Sequence, residues 1–211
     1  MPVDHTSRDE DILYQWEQYG KGGVGRLYWD LRDREISGCI RRGARVIVDA
    51  GCGEGVTLKK LLSLYPGRDI SGIDIDPRNI AICRGHDLPV KQGDILALDI
   101  PDGSVDCCIM SEVLEHIEDY GLALLEAKRF LREGGDLIVV FPNDIIFKIA
   151  RLLTLRFREA FYDTGHLRQL APGKVMSSLK QLGYRIVRVK NIPFMFWGLS
   201  LHCIIVARKR K

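Results

Sequence analysis

Three acidic residues that each close an apolar run, and a cluster of glycines after the first of them, mark where this chain could do chemistry. The stretch Val46-Ile47-Val48-Asp49-Ala50-Gly51-Cys52-Gly53-Glu54-Gly55 is an apolar run that stops at Asp49 and passes into glycines at alternate positions. A helical pattern follows, with Leu58, Leu61 and Leu62 on one side. The pattern predicts a buried strand, a tight turn and a helix N-terminus. Glycine lacks a Cβ and tolerates positive φ, so backbone there can come close to a ligand. The unpaired N–H groups of a helix start favour a polar or anionic group. Asp74 closes the next run, in Gly72-Ile73-Asp74-Ile75-Asp76-Pro77, and Asp94 the third, in Gln92-Gly93-Asp94-Ile95. In a doubly wound sheet such strand ends share one edge, where ligands bind. A carboxylate after the second strand can accept from both ribose hydroxyls, and one after the third from an adenine amino group. Singly, each acid has a plainer reading as a turn or cap residue, and for Asp94 the two readings weigh equally. Together, at one βα spacing, they predict a nucleoside site.

The order of the glycines narrows the nucleoside. A dinucleotide fingerprint reads GxGxxG, whereas here the third glycine comes one place early, in Gly51-Cys52-Gly53-Glu54-Gly55-Val56. Asp49 would repel a pyrophosphate. It would attract the cationic amino group of an amino-acid-bearing nucleoside.

The elements that must position these residues follow from alternating strand and helix signals, which predict an α/β fold with a mostly parallel sheet and helices on both faces. Strands are expected at 45–49, 69–74, 90–92, 105–110, 136–141, 185–190 and 202–207. Helices are expected at 55–65, 77–86, 120–132 and 172–182, with Gly134-Gly135 as the stop for the third. No helical pattern separates the last two strands, so the seven-stranded doubly wound sheet should end in an antiparallel strand. Two segments lie outside this alternation. One is an N-terminal arm, residues 1–43, with a helix at 27–40. The other is a lid-like insertion, residues 143–170, which mixes large apolar side chains with Lys148, Arg151, Arg156 and Arg158. The whole, residues 1–211, reads as one domain.

Composition sets the remaining bounds. The 211 residues carry a formal net charge of +3, too mild to call for nucleic acid or an anionic membrane. Residues 1–10 are polar and acidic and read as no signal peptide. The longest apolar stretch, 192–206, is broken by Pro193, Gly198, Ser200 and His202, so no stable membrane insertion is expected. The six cysteines form no CxxC pair, and Cys107 and Cys108 should face opposite sides of a strand. They are read as reduced core thiols of a cytoplasmic protein.

Asp-Ala-Gly-Cys-Gly-Glu-Gly resembles motif I of the class I S-adenosylmethionine (SAM)-dependent methyltransferases. Gly72 to Pro77 resembles the family's ribose-binding turn, and Gly93-Asp94 its adenine-binding turn. Pro101 to Asp106 and Ser111-Glu112-Val113-Leu114-Glu115-His116-Ile117 resemble its fourth-strand block. Leu131 to Val139, followed by Phe141-Pro142-Asn143, resembles its fifth. The likeness covers about residues 27–207 and is greatest to members acting on small molecules, such as quinone-precursor O-methyltransferases. Gly165 to Pro172 is also similar to that subgroup. The resemblance implies SAM as cofactor and S-adenosylhomocysteine as product. It implies that Gly51, Cys52 and Gly53 line the methionine part, and that Asp49 orients it. Asp74 would hold the ribose, Ile75 and Ile95 would sandwich the adenine, and Asp94 would meet its amino group. Ser111 would sit beside the methionine.

The acceptor side is less defined. His116 follows the fourth strand, and histidine as a residue type has a pKa near neutrality, which suits a general base. A purely structural hydrogen bond is an equal reading. A metal held by Glu112 or Glu115 with His116 competes with a solvated turn, and no metal is expected. The insertion suggests a small apolar or amphipathic acceptor. A lid with a core-facing apolar side is favoured over peripheral membrane contact. Tyr14, Trp16 and Tyr19 either close over the cofactor or pack the arm onto the core, the second being favoured. Two other functions stand beside methyl transfer, a non-catalytic SAM-binding protein and an NAD-dependent oxidoreductase. A nucleic-acid methyltransferase is disfavoured, since Ser111-Glu112-Val113-Leu114 stands where amino-methylating members carry an Asn/Asp-Pro-Pro-aromatic block. The oligomeric state is left open.

Overall fold

The computed structural model describes residues 14–153 and 166–210. Seven strands form one sheet in the order β3-β2-β1-β4-β5-β7-β6. They are β1 (Val46–Ala50), β2 (Asp69–Asp74), β3 (Val90–Gln92), β4 (Val105–Ser111), β5 (Leu131–Pro142), β6 (Tyr184–Ile192) and β7 (His202–Lys209). β1 to β5 run parallel, and β7 inserts antiparallel between β5 and β6. The strand order reverses between β1 and β4, and that crevice is where a doubly wound sheet takes its ligand.

The central strands are buried on both faces and therefore read as continuous apolar runs. Neighbouring residues divide between two cores. Val48, Cys108 and Val139 pack on one side with α5 (Tyr120–Phe130) and α7 (Pro172–Gln181). Ile47, Cys107 and Ile138 pack on the other with α2 (Gly23–Ser37), α3 (Val56–Leu64) and α4 (Pro77–Gly85). Cys107 and Cys108 thus face opposite sides, and all six cysteines are unpaired.

Three elements depart from the sequence expectation. The third helix ends at Phe130, not at the glycine pair. Leu131 pairs with Val105 in the ladder, and the register shifts before Cys107 meets Asp136. Gly134, at φ +68°, belongs to that irregular strand start. The arm carries a helix the pattern did not suggest, α1 (Tyr14–Lys21), and α2 starts at Gly23 and stops at Ser37. In the insertion, α6 (Asp144–Leu153) is described, while 154–165 and 1–13 lie outside the described residues. Among the described residues no helix is long and apolar enough to cross a membrane.

Candidate active site

Asp74 and Ser111 end their parallel strands on one edge of the sheet, and Asp49 lies one residue before the end of β1, which runs on to Ala50. The glycine turn between β1 and α3 is pinned from below. The N–H groups of Gly51 and Cys52 both donate to the Ile73 carbonyl, at 2.7 and 3.0 Å. Gly51 sits at φ +81°, and a Cβ there would meet Val113 Cγ2 at 2.4 Å. Gly53, at φ +54°, donates its N–H to Asp74 Oδ2 at 2.8 Å. Only glycine meets both demands at Gly51, left-handed backbone and close approach.

Asp74 binds the loop together before it binds anything else. Its Oδ1 accepts from the Asp76 N–H at 2.9 Å and from Asn79 Nδ2 at 3.1 Å. Ile75 beside it is 64% exposed, an apolar shelf of the kind a flat ring covers. Asp94 is exposed, and its Oδ1 accepts from the Leu96 N–H at 2.9 Å. The plainer reading of Asp94, a turn cap, is therefore realised. Ile95 is partly buried against the core. Cys52 is buried, and its thiol packs beside Gly72 and Leu58, so only its backbone can face a ligand.

Near the glycine turn lie a buried hydroxyl without a partner and a buried acid. Ser111 Oγ is buried and makes no hydrogen bond among the described residues. Asp49 is 2% exposed, and its carboxyl is pushed up to about 7 by burial first, then by Asp33 and Asp74, against the opposing pull of Arg32. An orphaned buried hydroxyl and an acid short of a cation fit an α-ammonium ligand. Together with the shelf at Ile75, these residues fit S-adenosylmethionine.

Sequence reasoning missed two features. The first is the docking of the arm. Glu54, only 6% exposed, accepts from the Gln15 and Trp16 N–H groups, both at 3.0 Å, and so caps the N-terminus of α1. Trp16 Nε1 adds a bond to the Glu54 carbonyl at 2.8 Å, and its indole lies against His86 at 4.3 Å. Tyr19 donates to Asp30 at 3.1 Å, under the ammonium of Lys60. Both aromatics pack the arm onto the domain. The arm residue that reaches over the glycine turn is instead Gln15, whose amide lies 2.8 Å from where a Gly53 Cβ would be. The side chain of Tyr14 lies outside the described residues.

The second is a charged chain at the end of β4 and the start of β7. Arg32, 8% exposed, pairs with Asp33 at 3.0 Å and with Glu112. Glu112 occupies the left-handed region at φ +57°, uncommon for a residue with a Cβ. Burial would raise its pKa, but Arg32 and then His202 outweigh it and hold the carboxylate well below the usual range. His202 Nε2 lies 3.1 Å from Glu112, and its Nδ1 is 2.6 Å from the Tyr28 hydroxyl. No sequence spacing joins residues 28, 32, 112 and 202; the antiparallel β7 brings His202 to this edge.

His116 lies on a 3₁₀ turn, Leu114–His116, with the ring of His166 at 4.8 Å. One ligand atom from each of Glu115, His116 and His166 lies within 4.8 Å of the others. Glu112, the alternative metal ligand considered from sequence, turns instead to Arg32 and His202.

Comparison with known proteins bears on the fold and the family. Residues 48–139 match a family described as a methyltransferase domain. A probable S-adenosylmethionine-dependent methyltransferase of Mycolicibacterium smegmatis is 29% identical over 75% of this chain and 60% of its own length. A demethylmenaquinone methyltransferase of Thermus thermophilus is 32% identical over 55% of each chain. The chain thus spans a little over half the length of these relatives. In fold, the crystal structure of a SAM-dependent methyltransferase from Archaeoglobus fulgidus superposes with a TM-score of 0.70 at 18% identity, covering 93% of this chain and 99% of that one. Residues 48–139 thus match a methyltransferase domain, and the relatives and the fold support a class I SAM-dependent methyltransferase. S-adenosylmethionine is the cofactor of that family.

Proposed function

We propose that the protein transfers the methyl group of S-adenosylmethionine to a small apolar or amphipathic acceptor. The observation that carries the cofactor half is the pair at the methionine end, the buried unpartnered Ser111 hydroxyl and the buried Asp49, beside a glycine turn open to close approach. In this reading Gly51, Cys52 and Gly53 offer backbone to the methionine portion and Asp49 takes its ammonium. Asp74 accepts from the ribose, Ile75 and Ile95 hold the adenine, and Asp94 meets its amino group. When bound, the cofactor supplies an activated methyl on a good leaving group. The protein's task is then alignment and exclusion of water, which supplies ~7–11 kcal/mol where geometry is right.

The acceptor half rests on the rim. Ile145 and Ile149 of α6 are 62% and 46% exposed, and Phe194, Met195, Phe196 and Leu199 are all more than half exposed. Asn143 ties the two segments, donating its side-chain amide to the Trp197 carbonyl at 2.9 Å and its N–H to Leu201. An apolar rim beside the ligand edge supports an apolar or amphipathic acceptor. His116 is the proposed general base where the acceptor must lose a proton. Six unpaired thiols support a reducing, cytoplasmic setting.

The deciding experiment is a calorimetric titration with S-adenosylhomocysteine, with NADH as control. Binding of the first alone supports the reading; binding of NADH alone overturns it. Radiolabelled methyl transfer across a panel of hydroxylated aromatic and prenylated acceptors then separates an enzyme from a non-catalytic SAM-binding protein.

A further inference from the structure

Glu115 is the most anomalous side chain among the described residues. It is 1% exposed, and neither carboxylate oxygen has a hydrogen-bond partner there. A buried ionised carboxylate without a partner costs several kcal/mol, so such groups stay protonated, pair or hold metal, and burial pushes the Glu115 carboxyl well up when nothing is bound. Among the described residues no Lys or Arg forms an ion pair with it. Its electrostatic neighbours are Glu112 and Asp144, both acidic, which deepens the negative field.

What does reach it are two imidazoles. His116 is adjacent on the same 3₁₀ turn, and His166 returns from the far end of the insertion. Its segment is held to the turn by the Leu167 N–H, which donates to the Glu115 carbonyl at 2.9 Å. His166 Nδ1 lies 2.9 Å from Asp144 Oδ1. That contact leaves Nε2 as the coordinating nitrogen and orients the ring, the usual arrangement of a metal-bound histidine with its supporting carboxylate. Two imidazoles and one carboxylate are a borderline donor set, suited to zinc, cobalt or manganese rather than to magnesium or calcium.

We propose that Glu115, His116 and His166 bind one divalent transition-metal cation at the acceptor end of the site, oriented by Asp144, with a coordination position left open for an acceptor hydroxyl. Three protein ligands and one open position are the pattern of a catalytic metal site. The second half rests on the methyl-transfer reading. A hydroxyl bound at the open position is acidified by the cation and gives its proton to water. Its oxygen then uses a lone pair to bond the methyl carbon, while the carbon–sulfur bond breaks and its electron pair stays on sulfur. In the metal-bound form His116 is a ligand, and loss of the acidified proton to water replaces the general-base role proposed for it above.

The test needs no acceptor. Purified protein is stripped with a chelator and titrated with zinc, manganese or cobalt alone. One equivalent per chain is expected, with a cobalt absorption in the visible typical of nitrogen and oxygen ligands. Glu115→Gln and His166→Asn should each weaken binding at least 100-fold, and Asp144→Asn roughly 10–100-fold. Binding of S-adenosylhomocysteine should be unchanged in all three, which also reports that they fold. Failure to bind one equivalent, equal affinity in Glu115→Gln and His166→Asn, or a thiolate charge-transfer band placing cobalt on cysteine would each overturn the site. Metal binding without S-adenosylhomocysteine binding would keep the site and sink the methyl-transfer reading.

Discussion

Replacing Asp49 with asparagine keeps the shape of the side chain and removes its charge, and the structure sets what this should do. In the ligand-free protein the Asp49 carboxyl is pushed up to about 7, by burial above all. A ligand ammonium beside it would favour the ionised form, so at lower pH binding must expel a proton. If the bound-state pKa falls to the usual ~4, affinity for S-adenosylhomocysteine should rise roughly 100-fold between pH 5 and 8, and flatten above the folded pKa. Calorimetry at pH 6 in buffers of different ionisation enthalpy should report about one proton released. Asp49→Asn should bind weakly and lose both the pH slope and the buffer dependence. The same linkage fixes the sign for stability. A carboxyl raised from ~3.9 contributes stability that is full below the unfolded value and lost as pH rises through the folded one. The asparagine variant should therefore be more heat-stable than the parent at pH 8, while binding less well. A pH-independent wild-type affinity, or a variant that binds as the parent does, would refute the assignment of Asp49 to the ammonium.

Three further perturbations probe the site's supports. Asp74→Ala should weaken S-adenosylhomocysteine binding tenfold or more. It should also cost about 1–3 kcal/mol of stability, because it orphans the Gly53 and Asp76 N–H groups; unchanged affinity would remove Asp74 from the ribose. Glu54→Ala strips the cap from α1, a helix of 8 residues and too short to persist alone, so protease should clip the arm faster while the sheet's melting point moves little. Unchanged cleavage would mean the arm is held some other way. Glu112→Gln leaves buried Arg32 with Asp33 as its remaining acidic partner and should cost about 3 kcal/mol in a denaturant melt at neutral pH. Because Glu112 is held below the usual carboxylate range, that contribution is present above the unfolded pKa and fades as pH falls, so parent and variant should converge in acid.

What the sequence disclosed was what neighbours along the chain can encode. The glycine turn, the strand-end acids and the apolar runs are local patterns, and the fold obeys them nearly residue for residue at β2, β3 and the start of α4. Where a local signal met a ladder, the ladder prevailed. Gly134-Gly135 reads as a helix stop, yet Leu131 is already paired with Val105 and fully buried, so the helix ends earlier. The arm fails for a different reason. Tyr14–Lys21 is only 8 residues long, contains Gly20 and runs into Gly22-Gly23, and its helix gains its cap from Glu54, some forty residues on. No spacing rule reaches that far.

The acceptor side was least legible because it is assembled from four distant places. His116 stood out as the titratable residue after β4, but its surroundings depend on where the insertion returns the chain. Only the folded form shows that His166 comes back beside Glu115, and that Glu112 turns away to Arg32 and His202. The cofactor edge is written in one βα unit after another, each within thirty residues. The acceptor edge is written in contacts such as that between residues 28 and 202, made only after β7 inserts antiparallel. A fold that keeps its proposed cofactor contacts local and its proposed acceptor contacts distant can change its acceptor by altering the arm or the insertion, without disturbing the glycine turn or the strand-end acids.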